Sequence, residues 1–189
     1  GVTTQNIQQS GQLYLVKQVN DAFKKMLSNI LVNLSNLAND HANTVMPGRT
    51  HGRHAVPITF GYKVSAWIYE LRLAIEALLE SEKRVFQVMM GGAVGSFNTF
   101  PDKGREVQKE VAKALDMYEM EIPSRNINSH KEEYMMRLSQ IANVLHKMAE
   151  EVYYTGLEEI GELQESFTTG TVGSSTMPHK INPKLAKGI

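Results

Sequence analysis

Cysteine is absent from the 189 residues, which excludes disulfides and cysteine-based metal sites. Net charge is absent too. Twenty basic residues balance 20 acidic ones, leaving neither a basic footprint for nucleic acid nor an acidic tail. No apolar run approaches the roughly 18 residues needed to span a bilayer, and no signal peptide opens the chain. These absences fit a cytoplasmic protein that engages neither membrane nor nucleic acid. The chain opens on "GVTTQNIQQSG" and stops at "KLAKGI". Neither resembles a natural terminus, so a piece of a larger protein is expected.

Proline and glycine are missing from long stretches, and those stretches carry helical periodicity. Tyr134, Leu138, Ile141, Leu145, Met148 and Val152 alternate spacings of four and three, the a/d pattern of helices packed at a shallow angle. Phe60, Val64, Trp67, Leu71, Ala74 and Leu78 form a second such stripe, and Phe23, Met26, Ile30, Leu34 and Leu37 a third. A shorter helix fits Lys103 to Leu115, with Pro101-Asp102 at its start. No run shows convincing period-two alternation. The expectation is an all-α bundle of three long helices and one short one. Helices this long expose more apolar stripe than three of them can cover, so self-association is expected, with the two stripes from Phe60 and Tyr134 buried only in the oligomer.

Polar residues gather in the connections: "GVTTQN", "MPGRTHGRHAVP", "GGAVGSFNTFP", "IPSRNINSHK" and "TTGTVGSSTMPHKINP". In an up-down bundle the second and fourth lie at opposite ends. A site composed from neighbouring subunits would bring such segments together.

In the last connection, Gly170 and Gly173 allow tight turning or motion. Asn182-Pro183 reads as an N-cap and first helical position, offering N–H groups to a carboxylate or phosphate. Lys180 adds a full charge. Ser174 and Ser175 become bases only where N–H groups and an ammonium stabilise the alkoxide. By spacing alone, a polar loop capping a helix explains the segment as well. In "GRTHGRHA", Thr50 and His51 sit between Gly48 and Gly52, so the histidine is held on an irregular turn and is suited to proton transfer near neutral pH. Arg49 and Arg53 could balance an anionic ligand. His51 and His54 are three apart, but no carboxylate follows with metal spacing, so no metal site is expected. His41, His130 and His146 read as surface or packing residues. "GGAVGSF" lacks the lysine and preceding strand of a phosphate loop and reads as a tight passage between helices. "TTQN" is an N-cap or a set of ligand-binding side chains.

Together these segments resemble the fumarase/aspartase superfamily. Its signature loop has the form GSSxMPxKxNP, and "GSSTMPHKINP", Gly173 to Pro183, matches every fixed position. "GRTHGRHA" resembles the superfamily's Thr-His segment, and "GVTTQNIQQSG" resembles its Gly-x-Thr-Ser-x-Asp-Ile segment. The resemblance covers residues 1–189 and implies most of the central helical-bundle domain, with the N-terminal and C-terminal domains absent. It implies a homotetramer whose active sites combine segments from three chains. It also implies β-elimination across a succinyl group, usually releasing fumarate, through a doubly charged aci-carboxylate. Carried over by position, Ser174 is the base and His51 the acid or partner in proton transfer. Lys180 and Asn182 hold the substrate carboxylate and stabilise the dianion. Thr50 hydrogen-bonds the substrate, and Thr3, Thr4 and Gln5 hold a carboxylate. Cations and N–H groups at the carboxylate that gains charge stabilise the transition state more than the substrate. The Met177-Pro178 step and the flanking glycines suit a lid, mobile without ligand. No cofactor is implied, and the partner is a small dicarboxylate.

Two branches fit. "MPHK" and "GRTHGRHA" are typical of adenylosuccinate lyase, which would place the protein in purine biosynthesis. "HAVPITFGYK" and "GGAVGS" followed by "DKG" resemble 3-carboxy-cis,cis-muconate cycloisomerase as much. A non-catalytic scaffold of the same fold is the remaining alternative. Both branches usually carry Arg-Asp before the third long helix, where Asn128-Ser129 stands here, and aspartates where Asn6 and Gln9 stand. The segment is too short to place the glutamine expected of adenylosuccinate lyase. These departures touch the part of the site that would meet the distal half of the substrate.

Overall fold

The computed structural model describes every residue except 167–169, 171, 172 and 178. The architecture is all-α, and the expected helices are present. They are α1 (Thr4–Asp40), α2 (Phe60–Val85), α3 (Gly104–Ala114) and α4 (Ser129–Thr155), with a last short turn, α5 (Lys184–Lys187). At 1.5 Å per residue, the 37 residues of α1 extend about 55 Å. Two short ladders were not expected. β1 (Val45–Thr50) pairs antiparallel with β2 (Arg53–Thr59), and β3 (Gln87–Val88) pairs parallel with β4 (Tyr118–Glu119).

The chain divides into two compact units: residues 1–32 with 73–139, and residues 33–72 with 140–189. In the first unit the core is Leu13, Val85, Phe86, Val88, Met90, Ala112 and Met117, with Phe86 edge-on to Tyr134 at 5.5 Å. Gln108 is buried there. Its Oε1 accepts from the Met90 N–H at 2.9 Å and its Nε2 donates to the Met120 carbonyl at 2.9 Å, so one amide joins the segments around β3 and β4.

The first segment is fixed in this unit by Asn6. Its Oδ1 accepts from the N–H of Thr3 at 3.1 Å and of Gly92 at 3.0 Å. The first bond is half of a capping box, with Asn6 at the third helical position reaching back to the residue before the helix. The second ties α1 to the Gly-rich connection after α2.

In the second unit, α2 begins where the turn after α1 leaves no room for a side chain. A Cβ on Gly61 would meet the Ala42 Cα and the His41 carbonyl oxygen, each at 2.9 Å, and the Gly61 N–H donates to that same carbonyl. Val64, Trp67 and Leu71 are buried here, as are Ile141, Val144 and Ala149.

The stripe on α2 corrects an expectation. Val64, Leu71, Ala74 and Leu78 are all 0% exposed within a single chain, and Ile141 on α4 is 1% exposed. The α2 residues are core of the protomer and need no second copy, whereas on the α4 stripe only Ile141 is fully buried and Tyr134, Leu138, Leu145, Met148 and Val152 are half-buried. The large apolar side chains left exposed lie elsewhere, among them Leu15, Val19 and Met26 on α1 and Met135 and Met136 on α4.

Candidate active site

The signature loop belongs to the second unit and is closed on itself. The Asn182 side-chain amide donates to the Gly173 carbonyl at 3.2 Å, and the Lys180 N–H donates to the Met177 carbonyl at 2.9 Å. A Cβ at Gly173 would collide with the Lys180 carbonyl oxygen, so a glycine is needed for this closure. Ser174 is half-buried, and its Oγ accepts from the Met177 N–H at 3.3 Å. One backbone N–H therefore points at the oxygen that would carry alkoxide charge. Lys180 is exposed. Pro178, and with it the Met-Pro step of the expected lid, lies outside the described residues.

The reading of Asn182 as an N-cap is corrected. Pro183 holds that position and has no polar side chain to make a cap bond, while the Asn182 NH2 donates across the loop to Gly173. The N–H groups of Leu185 and Ala186 are also taken. They donate to the Glu165 carboxylate at 3.1 and 2.6 Å, so α5 is capped by an acid of this chain.

Thr50 and His51 lie at the end of the β1–β2 hairpin in the same unit. Thr50 pairs with Arg53, leaving a two-residue turn of His51 and Gly52 with φ of +52° and +73°. Positive φ at both central residues is the type I′ hairpin pattern, so the turn is regular rather than irregular. Histidine is among the non-glycine residues that tolerate the left-handed region, and the hairpin turn requires that conformation here. The His51 side chain is exposed.

Arg49 is not free to meet a ligand. Its guanidinium donates to the Glu162 carboxylate, to the Gly52 carbonyl at 2.8 Å, and lies 2.8 Å from His54 Nε2. The hydrogen bond to Glu162 raises the Arg49 pKa above its ordinary value. Arg49 thus staples the turn that presents His51 to the segment following α4. Thr50 lines a cleft with Lys63, Glu151 and Tyr154, in which Lys63 and Glu151 form an ion pair.

Thr3, Thr4 and Gln5 belong to the first unit, and Thr50, His51, Ser174, Lys180 and Asn182 to the second. Thr4 opens α1, and Gln5 Oε1 accepts from the Arg125 guanidinium. Sequence reading missed Arg125, Glu162 and Glu165. Each meets its partner across a wide gap in sequence, which no local spacing reveals. Of the three isolated histidines, His130 is a packing residue, 6% exposed, with its pKa lowered by burial and then by the Lys131 charge. Among the described residues no cluster of His, Asp or Glu could hold a metal ion, and no helix is long and apolar enough to cross a membrane.

A family model described as lyase matches residues 4–187. The chain belongs to the fumarase/aspartase superfamily. Among its relatives in that superfamily is an N-acetyl-S-(2-succino)cysteine lyase from Enterococcus italicus, 39% identical over 100% of this chain and 42% of that protein. An adenylosuccinate lyase from Methanocaldococcus jannaschii is 37% identical over 97% of this chain and 40% of that protein. In structure, the chain resembles a 3-carboxy-cis,cis-muconate lactonizing enzyme from Pseudomonas putida, with TM-score 0.89, 30% identity, and coverage of 98% of this chain and 42% of the other. The chain spans about two-fifths of the length of these superfamily members.

Proposed function

We propose that the full-length protein is a lyase that eliminates fumarate from a succinyl substrate. The observation that carries this reading is the loop from Gly173 to Asn182. Every fixed position of the superfamily signature is present, and the loop closes so that Ser174 Oγ faces a backbone N–H. In the proposed reaction Ser174 removes the proton from the carbon beside one carboxylate, and the electron pair moves into that carboxylate. Lys180 and Asn182 stabilise the resulting dianion. The pair then returns to form the C=C bond as the bond to the leaving group breaks, and His51 gives the departing atom its proton. Concentrating donors where charge develops accelerates the chemical step rather than merely tightening substrate binding.

Thr3, Thr4 and Gln5 of a neighbouring subunit hold the second carboxylate, as in the superfamily's composite sites. Adenylosuccinate, with nitrogen as leaving atom in purine biosynthesis, is the first substrate to test. A succinyl thioether is the second reading, favoured by the 39% identity to the Enterococcus italicus enzyme. Asn128-Ser129, standing in place of Arg-Asp, also leaves room for a leaving group other than a nucleotide. The protein acts in the cytoplasm as a homo-oligomer, a tetramer by family analogy, and needs no cofactor.

The deciding experiment follows fumarate absorbance in the ultraviolet with full-length protein, adenylosuccinate and N-acetyl-S-(2-succino)cysteine. Turnover of either, lost by a factor of about 1,000 or more in Ser174→Ala, is the expected result. A Ser174→Ala enzyme that keeps most of its turnover would make the loop a structural cap.

A further inference from the structure

Gln5 and Arg125 are 120 residues apart and meet beside an open cleft of about 510 Å3. The cleft is lined by Gln5, Ala93, Val94, Ser124, Arg125 and Asn126. Its described lining contains one charged side chain, Arg125, and no acid. The half-buried guanidinium donates to Gln5 Oε1, and among the described residues no carboxylate pairs with it. This bond settles which way the Gln5 amide points. A guanidinium only donates, so it must meet the amide oxygen, and the Gln5 NH2 is left to donate elsewhere. At Asn126 the Ser124 hydroxyl donates to Oδ1, which leaves that NH2 as a donor as well. Two amide NH2 groups and the remaining guanidinium N–H groups are thus left around a cleft that supplies no anion of its own.

We propose that Arg125, with Gln5, forms a carboxylate-binding site that helps to set substrate specificity. The inference rests on the reading that the first segment holds a substrate carboxylate, and it adds the cation which that segment lacks. A planar fork of N–H donors matches a carboxylate's two oxygens, and a charge-assisted pair of this kind is about twice as strong as a neutral one. Arg125 also lies three residues before Asn128, where the related branches carry arginine. The chain keeps a cation in this connection at a shifted position.

The carboxylate can belong to the succinyl group or to the leaving group, and calorimetry on the full-length protein separates the two. Succinate offers only succinyl-type carboxylates, whereas N-acetyl-S-(2-succino)cysteine carries another on its cysteine. Both are titrated into Ser174→Ala and into Ser174→Ala with Arg125→Met. Removing a charged hydrogen-bonding partner is expected to weaken binding by roughly 10-fold or more. Weaker binding of succinate assigns the succinyl carboxylate. Weaker binding of the thioether alone assigns the leaving group. Unchanged binding of both overturns the proposal. Arg125→Lys, which keeps the charge and loses the fork, is expected to be intermediate, and it replaces Arg125→Met if that variant does not fold. If Ser174→Ala still turns over, the elimination mechanism fails, but the succinate titration still decides the role of Arg125.

Discussion

The side-chain amide of Asn182 holds the carbonyl of Gly173, nine residues back, at 3.2 Å. The residue assigned to the substrate carboxylate therefore also closes the loop that carries Ser174. Asn182→Asp separates these functions poorly and damages both. A carboxylate cannot donate to a carbonyl, and it repels the substrate's own charge. In the full-length enzyme kcat/KM is expected to fall by about 100-fold or more, while the melting temperature moves by only a few degrees, since one neutral bond contributes about 1 kcal/mol. Steady-state kinetics beside a thermal melt checks this. Undiminished kcat/KM would remove Asn182 from the site.

Asn6 is the anchor of the first segment. Asn6→Ala removes the acceptor of two N–H bonds at a fully buried position. The expected local cost is about 2 kcal/mol, seen as roughly 30-fold faster hydrogen exchange at Gly92. Exchange unchanged at that amide would mean the bond contributes nothing to holding the connection.

His130 makes stability depend on pH. Burial lowers its pKa below the ordinary 6.5, so the unfolded chain binds the proton more readily than the folded one. Its contribution is complete above 6.5 and is lost progressively as pH falls toward the lowered folded value. His130→Gln is expected to flatten that part of the curve in urea denaturation at a series of pH values. An unchanged slope would show that another group titrates there.

Assembly is expected to use the exposed apolar residues of α1. Leu15, Val19 and Met26 are 61%, 68% and 63% exposed, at spacings of four and seven along one helix. Val19→Glu in the full-length protein would bury a charge if that face meets another copy, and sedimentation velocity should then show smaller species. An unaltered sedimentation profile would move the interface elsewhere.

The helices were legible because an apolar repeat of three and four over many turns has few other readings. The oligomer surface was misread for the same reason. Periodicity marks a face as apolar without saying whether the same chain covers it, and Val64 to Leu78 are covered at home. The β1–β2 hairpin was hidden because Pro47 and Pro57 face each other and the register shifts between Pro47 and Arg49, which breaks the alternation. Part of its support is the Arg49–Glu162 pair, which spans 113 residues. Ser174 and His51 could be put forward as candidates from short motifs. Arg125 could not, since its meaning comes from Gln5.

The two-residue turn at His51-Gly52 also bears on how this protein can change. Along a strand, successive side chains alternate faces, so the histidine's direction is counted out by the rungs of the hairpin below it. Replacing its neighbours leaves that count intact. Inserting or deleting one residue within β1 or β2 would shift the pairing that carries the turn, unless a second irregularity like the one between Pro47 and Arg49 absorbed it. Descendants of this sequence can therefore vary the letters of the hairpin far more freely than its length.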